Sequence, residues 1–486
     1  MSASSSDPSR TAPSSGDPST LRIGRRRLLG LGATALGAFT LLPPLRRATG
    51  NADCRTPPLV ITLRAGGGWD PTYCCDPIVD DPRFTPFTAA DVLQAEGIRY
   101  APFDVDDGTR TPYRVNGQDF FAKHAGRMVV VNGVDHETVA HDVGSRVSMS
   151  GSSRLGLPTL SGLVAGIAGR GLPLAYLVSG GYASAQSMVP LIRVAGGDTL
   201  RQILIPNGMG SRADDPVHEA EVESLIAAAR WERDARLAPD LPSAAHTVAQ
   251  IRNSRGAALD ERFRTLLDGL EATAVDSEND AVQTASAILA AMRAGACAAA
   301  HLTYSGVGSQ FDTHDRDHGS LDPRAGHRPA LAQLFEAADY LVDTVEGDEV
   351  LGERGLVLVI GSEFGRTVFN ADRGKDHWNI GSTIVMTAGA AADRMEPGRA
   401  VGWTGATTPD GTRINGAYGY KVKVVSGELT RVDDEDDPDA FRLTAKHVHV
   451  AIRDLLDLCD DHLPDSPLTT FRVPDVSPEP LPLFRS

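Results

Sequence analysis

The chain has 486 residues, 41% of them hydrophobic, and a formal charge of −16. The first 50 residues hold seven Arg and two Asp, so the rest of the chain carries −21. That acidity argues against nucleic acid as a partner, because phosphate backbones need basic surface, and an anionic substrate would need local help from a metal ion or an arginine.

Residues 1–20 are rich in Ser, Pro and Asp and are expected to be disordered. Gly24-Arg25-Arg26-Arg27-Leu28-Leu29 then opens an apolar run to Leu42 that ends at Pro43-Pro44. This order reads as an export signal, and its paired arginines resemble a twin-arginine signal. An anchoring amphipathic helix is the alternative reading. Cleavage near Ala52 would release residues 53–486, a single domain, through the twin-arginine export machinery to a periplasmic or extracellular location. An uncleaved signal would leave the chain anchored. No apolar stretch of about 18 residues follows, so no integral membrane segment is expected in the mature chain.

Short apolar runs recur at 59–63, 128–131, 175–178, 298–304, 356–360 and 383–386. They are continuous rather than alternating, which predicts strands buried on both faces in a mainly parallel sheet. Amphipathic helical patterns lie between them, at 244–294 and 330–345 for example, and the expected fold is a three-layer α/β/α sandwich. Residues 205–295 read as a helical insertion, 397–432 as a small β excursion with hairpin turn signals, and 446–459 as a closing helix. The five cysteines, Cys54, Cys74, Cys75, Cys297 and Cys459, include no CxxC pair, so a thiolate zinc site is not expected. Cys54 with Cys74 or Cys75 suggests a local bridge; Cys297 and Cys459 fall in apolar patterns expected in the core.

Ligands of open α/β sheets gather at the carboxyl ends of the strands. Asp70 follows the first run, and Asp135, His136 and His141 follow the second. Asp312, His314 and His318 follow the fourth, and Ser362-Glu363-Phe364-Gly365-Arg366 the fifth; Asp376 and His377 precede the sixth. In an extended Phe311-Asp312-Thr313-His314, alternate residues point the same way, so Asp312 and His314 can ligate one ion; the alternative is a helix-capping Asp beside a surface His. His377 is the expected ligand of the Asp376-His377 pair, with Asp376 orienting or turn-forming. Glu363 at the end of a wholly apolar strand is costly to bury unless metal-bound or paired, and Arg366 is the expected partner in the second case. Asp70 is a ligand or a turn residue before Pro71. His318 and His327 read as solvated or helix-start residues.

Gly66-Gly67-Gly68-Trp69-Asp70, Phe311-Asp312-Thr313-His314, Ser362-Glu363-Phe364-Gly365-Arg366-Thr367 with Asn370, and Gly374-Lys375-Asp376-His377-Trp378 together resemble the bacterial DUF1501 proteins. That family is placed with the alkaline phosphatase and sulfatase superfamily, and the resemblance spans essentially the whole mature chain. It implies an alkaline-phosphatase-like fold with one or two divalent ions (Zn, Mg, Ca or Mn) on Asp70, Asp312, His314, Glu363 and His377. Phe364 stands where the superfamily has a metal-binding His, and Arg316 where it has another, so a single metal, or a harder ion on oxygen ligands, fits better than a two-zinc centre. The nucleophile position falls on His141, as ligand or nucleophile, with Ser145 or Thr138 as substitutes. The activity so implied is metal-assisted hydrolysis of a small anionic phosphate or sulfate ester. In it Arg366 would clamp the anion, and His141 or His318 would handle protons. The rival is a catalytically degenerate exported scaffold that keeps the fold.

Overall fold

A computed structural model describes residues 56–103, 117–204, 261–272, 277–306, 310–315, 318–319, 326–458 and 470–485, with isolated positions between. The export signal, Cys54, Cys459, Arg316 and most of 205–260 lie outside these residues.

The chain is α/β. Among the described residues, eight strands form one sheet: β1 (Leu59–Ala65), β2 (Met128–Asp135), β3 (Tyr176–Ser179), β4 (Leu191–Arg193), β5 (Ala299–Tyr304), β6 (Leu356–Ser362), β9 (Ile380–Ala388) and β10 (Arg399–Val401). β7 (Gly365–Phe369) and β8 (Lys375–Trp378) form a hairpin inserted between β6 and β9. The spatial order in the sheet is β10-β2-β9-β6-β1-β5-β3-β4. All six expected strands are present. The two short edge strands β4 and β10 were not anticipated.

Val, Ile, Leu and Ala fill these strands because both faces are covered. In β1, Leu59, Ile61 and Leu63 join one buried cluster, while Val60 joins another. β6 repeats the pattern, with Leu356, Leu358 and Ile360 on one face and Val357 and Val359 on the other. The first face packs under α1 (Gly117–His124), α4 (Asp280–Arg293) and α5 (His327–Gly347); the second packs under α2 (His141–Ser150), α3 (Leu160–Ala168) and α6 (Ala445–Leu455). Burying each such Leu, Ile or Val contributes roughly 1.5–3 kcal/mol, so burial dictates the layering.

β9 alone runs against the rest of the sheet, antiparallel to both neighbours β2 and β6; every other adjacent pair is parallel. The start of β9 therefore lies at the edge where the other strands end. Residues just before it, His377 among them, meet residues that follow β1, β2, β5 and β6.

Of the expected insertion, Glu261–Ala272 and α4 are helical. Within 397–432, β10 joins the main sheet, whereas β11 (Thr404–Thr407) and β12 (Arg413–Gly419) pair with the β7–β8 hairpin. Lys421–Val425, Glu428–Val432 and Phe441–Arg442 make a separate three-stranded sheet. The closing helix is α6. Cys74, Cys75 and Cys297 are buried thiols, so Cys297 is in the core as expected; the expected bridge involves Cys54, which lies outside the described residues. No helix among the described residues is long and apolar enough to cross a membrane.

Candidate metal centre

His141 is the first residue of α2. The helix comes close to the end of β6 because residue 144 is glycine: a Cβ there would lie 2.7 Å from the Glu363 carbonyl oxygen and 3.2 Å from the Phe364 ring. Gly68 does the same for the loop after β1, with φ +89° and the Phe364 ring 2.4 Å from where a Cβ would be. Asp312 and His314 flank buried Thr313 in the segment after β5. His377 comes from β8, whose pairing with β7 shifts register between Lys375 and His377. In an unbroken strand those two side chains would face the same way. The shift lets Lys375 go inward while His377 turns to Asp312.

Three imidazoles converge on the Asp312 carboxylate. Oδ1 lies 2.9 Å from His314 Nε2 and 3.1 Å from His377 Nε2, and Oδ2 lies 3.4 Å from His141 Nε2. His141, Asp312 and His377 stand close enough together to hold one metal ion, and the Nε2 atoms of His314 and His377 are 3.0 Å apart. Each ring is oriented from behind through Nδ1. His141 Nδ1 meets Glu363 Oε1 at 3.0 Å, His314 Nδ1 meets Asp376 Oδ1 at 3.0 Å, and His377 Nδ1 meets the Val139 carbonyl at 2.8 Å. A carbonyl or carboxylate oxygen can only accept, so each Nδ1 carries a proton, and each Nε2 faces the Asp312 carboxylate with either a second proton or a cation between them. This is how proteins hold metal-ligating histidines.

Burial holds the His377 pKa below its usual value. The hydrogen bond to Glu363 raises that of His141. Burial alone would raise Asp312, but hydrogen bonds from Arg366 and His377 outweigh it and bring the carboxyl down to about 2. Glu363 is nearly buried; His141 and Arg64 overcome the burial penalty and hold it well below the usual carboxylate range.

Several expected roles are corrected by these contacts. Glu363 faces the back of His141 and the Arg64 guanidinium (Nη2–Oε2 2.8 Å), so it orients a ligand, and its ion-pair partner is Arg64 instead of Arg366. Arg366 is spent inside the protein, donating to the carbonyls of Gly67, Gly68, Phe311 and Lys375 and to Asp312 Oδ1 (2.8 Å), which leaves no fork to clamp an anion. Asp70 is fully buried and does not reach the imidazoles. Its Oδ2 pairs with the Lys375 ammonium and His318 Nε2, and its Oδ1 accepts from Thr72. Lys375 and His318 drive its pKa far down despite burial. His318 is buried, not solvated, and burial depresses its pKa to about 4, so it does not shuttle protons at the surface. His327 does begin a helix, α5, but is likewise buried.

Four contributors escaped the sequence reading: Arg64, Lys375, the Val139 carbonyl, and Asp376 acting on His314 instead of His377. Nothing local marks them, since each is defined by what lies opposite it in space. A second group, His124, Asp339 and Asp343, also has ligand-like spacing. There the Lys123 ammonium contacts both aspartates and already supplies the cation.

Compared with protein-family models and with curated proteins, the chain matches none.

Proposed function

We propose that the chain is an exported, DUF1501-like metal-dependent hydrolase that holds one divalent transition-metal ion on His141, Asp312, His314 and His377 and acts on a small phosphate or sulfate ester. One observation carries the metal reading: three Nε2 atoms aim at one carboxylate while every Nδ1 is already committed. Lone pairs facing a carboxylate repel it unless a proton or a cation lies between them. Imidazole-rich donors suit zinc, whereas calcium, magnesium and manganese favour oxygen ligands. When bound, the ion supplies Lewis acidity, lowers the pKa of water, and offers an anionic ester its positive charge.

The chain's own groups do the rest. Glu363, Asp376 and the Val139 carbonyl fix ring orientation and tautomer. Arg366 holds Asp312 from beneath. Phe364, fully buried and 4.3 Å from the His377 ring centroid, walls the centre with apolar surface where a further imidazole would make it binuclear. The twin-arginine-like segment and the ordered DUF1501-like motifs support export and the superfamily assignment.

A second reading, a metal-holding scaffold without turnover, draws on the same contacts. Arg366 is fully engaged, the Ser145 hydroxyl accepts from Arg64 at 2.6 Å, and the Thr138 hydroxyl accepts from the Ala140 amide at 3.1 Å, so neither hydroxyl is set against a base. Zinc-loaded protein should be assayed with aryl phosphate, phosphodiester and aryl sulfate. Turnover abolished by chelator and by Asp312→Ala supports the hydrolase. Activity surviving both sinks it, and silence of loaded protein on every ester favours the scaffold.

A further inference from the structure

Beneath the candidate centre lies a second set of buried polar groups that does not touch the imidazoles. Thr313 stands between Asp312 and His314, and Lys375 precedes Asp376 and His377. The two are joined twice. The Lys375 amide donates to the Thr313 carbonyl at 3.1 Å. Their side chains meet through intermediaries: Thr313 Oγ1 bonds His318 Nδ1 at 2.6 Å, His318 Nε2 bonds Asp70 Oδ2 at 3.0 Å, and the same Oδ2 takes the Lys375 ammonium. The contacts close a ring.

The ring is anchored to the scaffold. Asp70 belongs to the loop after β1, its Oδ1 is fixed by the Thr72 amide (3.0 Å) and hydroxyl (2.6 Å), and its amide donates to His327 Nε2 at 2.8 Å on α5. Lys375 lies over the Tyr73 and Phe369 rings, 5.0 and 5.1 Å from their centroids. Asp70, His318 and Lys375 are fully buried and Thr313 is 6% exposed. Removing a carboxylate and an ammonium from water is expensive, and an apolar pair would fill the same space more cheaply. What an apolar pair could not do is fix the azimuth of two neighbouring extended segments.

We propose that Thr313, His318, Asp70 and Lys375 are positioning residues for the metal centre. They lock the inward side chains of two segments so that the outward ones, Asp312 and His314 on one and His377 on the other, meet at one point. This assignment rests on the metal reading. It gives Asp70 a role in placing ligands instead of being one.

The test compares Thr313→Val, which keeps the shape and removes the bond to His318, with Thr313→Ser, which keeps the bond. Two readouts separate this assignment from the metal reading. The first, with chelator present, is hydrogen exchange at the Lys375 amide, which reports the ring directly, against the Leu59 amide, bonded to the Gly355 carbonyl at 3.0 Å in the sheet. Thr313→Val should speed exchange at Lys375 about tenfold or more and leave Leu59 unchanged, while Thr313→Ser resembles the parent. The second is zinc affinity by chelator competition, expected to fall about 10–100-fold in Thr313→Val, as for other groups that orient ligands, and to be restored in Thr313→Ser. Unchanged exchange at Lys375, or equal zinc affinity in the Val variant and the parent, overturns the positioning role. A parent that binds no zinc overturns the metal reading, and the exchange at Lys375 then still decides whether the ring holds the segments. Should Thr313→Val not fold, His318→Phe against His318→Gln makes the same comparison.

Discussion

His377 Nε2 lies 3.1 Å from Asp312 Oδ1 while its Nδ1 donates to the Val139 carbonyl. Burial favours the neutral ring, and a neutral ring with its proton on Nδ1 would set two acceptors face to face at this distance. Only a proton or a cation relieves that contact.

The first prediction follows from this contact. The parent should bind about one equivalent of zinc, and Asp312→Ala or His377→Ala should weaken binding by at least about tenfold. Elemental analysis and chelator titration measure both. Retained affinity in both variants would show that the imidazoles converge for another reason.

Glu363 supports a second. It meets Arg64 at 2.8 Å with both side chains almost fully buried, and it also holds His141. Glu363→Ala leaves Arg64 uncompensated and should cost about 3–5 kcal/mol, together with weaker metal binding. Urea denaturation of the metal-free protein isolates the first effect. A loss below about 1 kcal/mol there would mean that Arg64 finds another partner or water.

The third concerns pH. Buried His318 and His449 have pKa values depressed to about 4, and His301 to about 3, each mainly by burial. Unfolded histidine takes its proton near pH 6.5. Between about pH 6.5 and 4 the unfolded chain therefore binds more protons than the folded one, and stability falls as pH falls through that window. Asp312, down to about 2, adds its loss only at lower pH. Each buried imidazole should contribute on the order of 1–3 kcal/mol of acid sensitivity. Denaturation across this window should show the slope, and His449→Asn should flatten it. A flat profile would show that these rings are hydrated.

Gly144→Ala sets two effects of opposite sign against each other. Alanine in a helix gains about 1 kcal/mol over glycine. The added methyl would sit 2.7 Å from the Glu363 carbonyl oxygen, and overpacking costs about 1–3 kcal/mol. The clash should win, lowering the melting temperature and loosening zinc by pushing His141 off Asp312. A stabilised variant with parental affinity would show that α2 can move without cost.

The layers and the six principal strands were legible because uninterrupted Val, Ile and Leu runs mark strands covered on both faces. Strand direction was not legible: Ile380–Ala388 carries an apolar run like the strands beside it, and its reversal appears only in pairing. β4 and β10, three residues each, are too short to show a pattern. In the site, Asp312 and His314 were readable from alternation, and His377 from its place before a strand. Asp70, Arg366 and His318 were misassigned because a carboxylate, guanidinium or imidazole is defined by its partner. Those partners, Lys375, the loop carbonyls and Thr313, are fixed only when distant segments come together.

The reversal of Ile380–Ala388 also bears on assembly order. β6 and β9 are direct antiparallel neighbours, Ile360 opposite Ile384, so Glu363, Arg366 and His377 ride on one hairpin closed by a short length of chain. Asp312 and His141 must arrive across much longer loops, whose closure costs more entropy. During refolding this hairpin is expected to form first and template the rest; in pulse-labelled exchange the Ile384 amide should gain protection before that of Ile61.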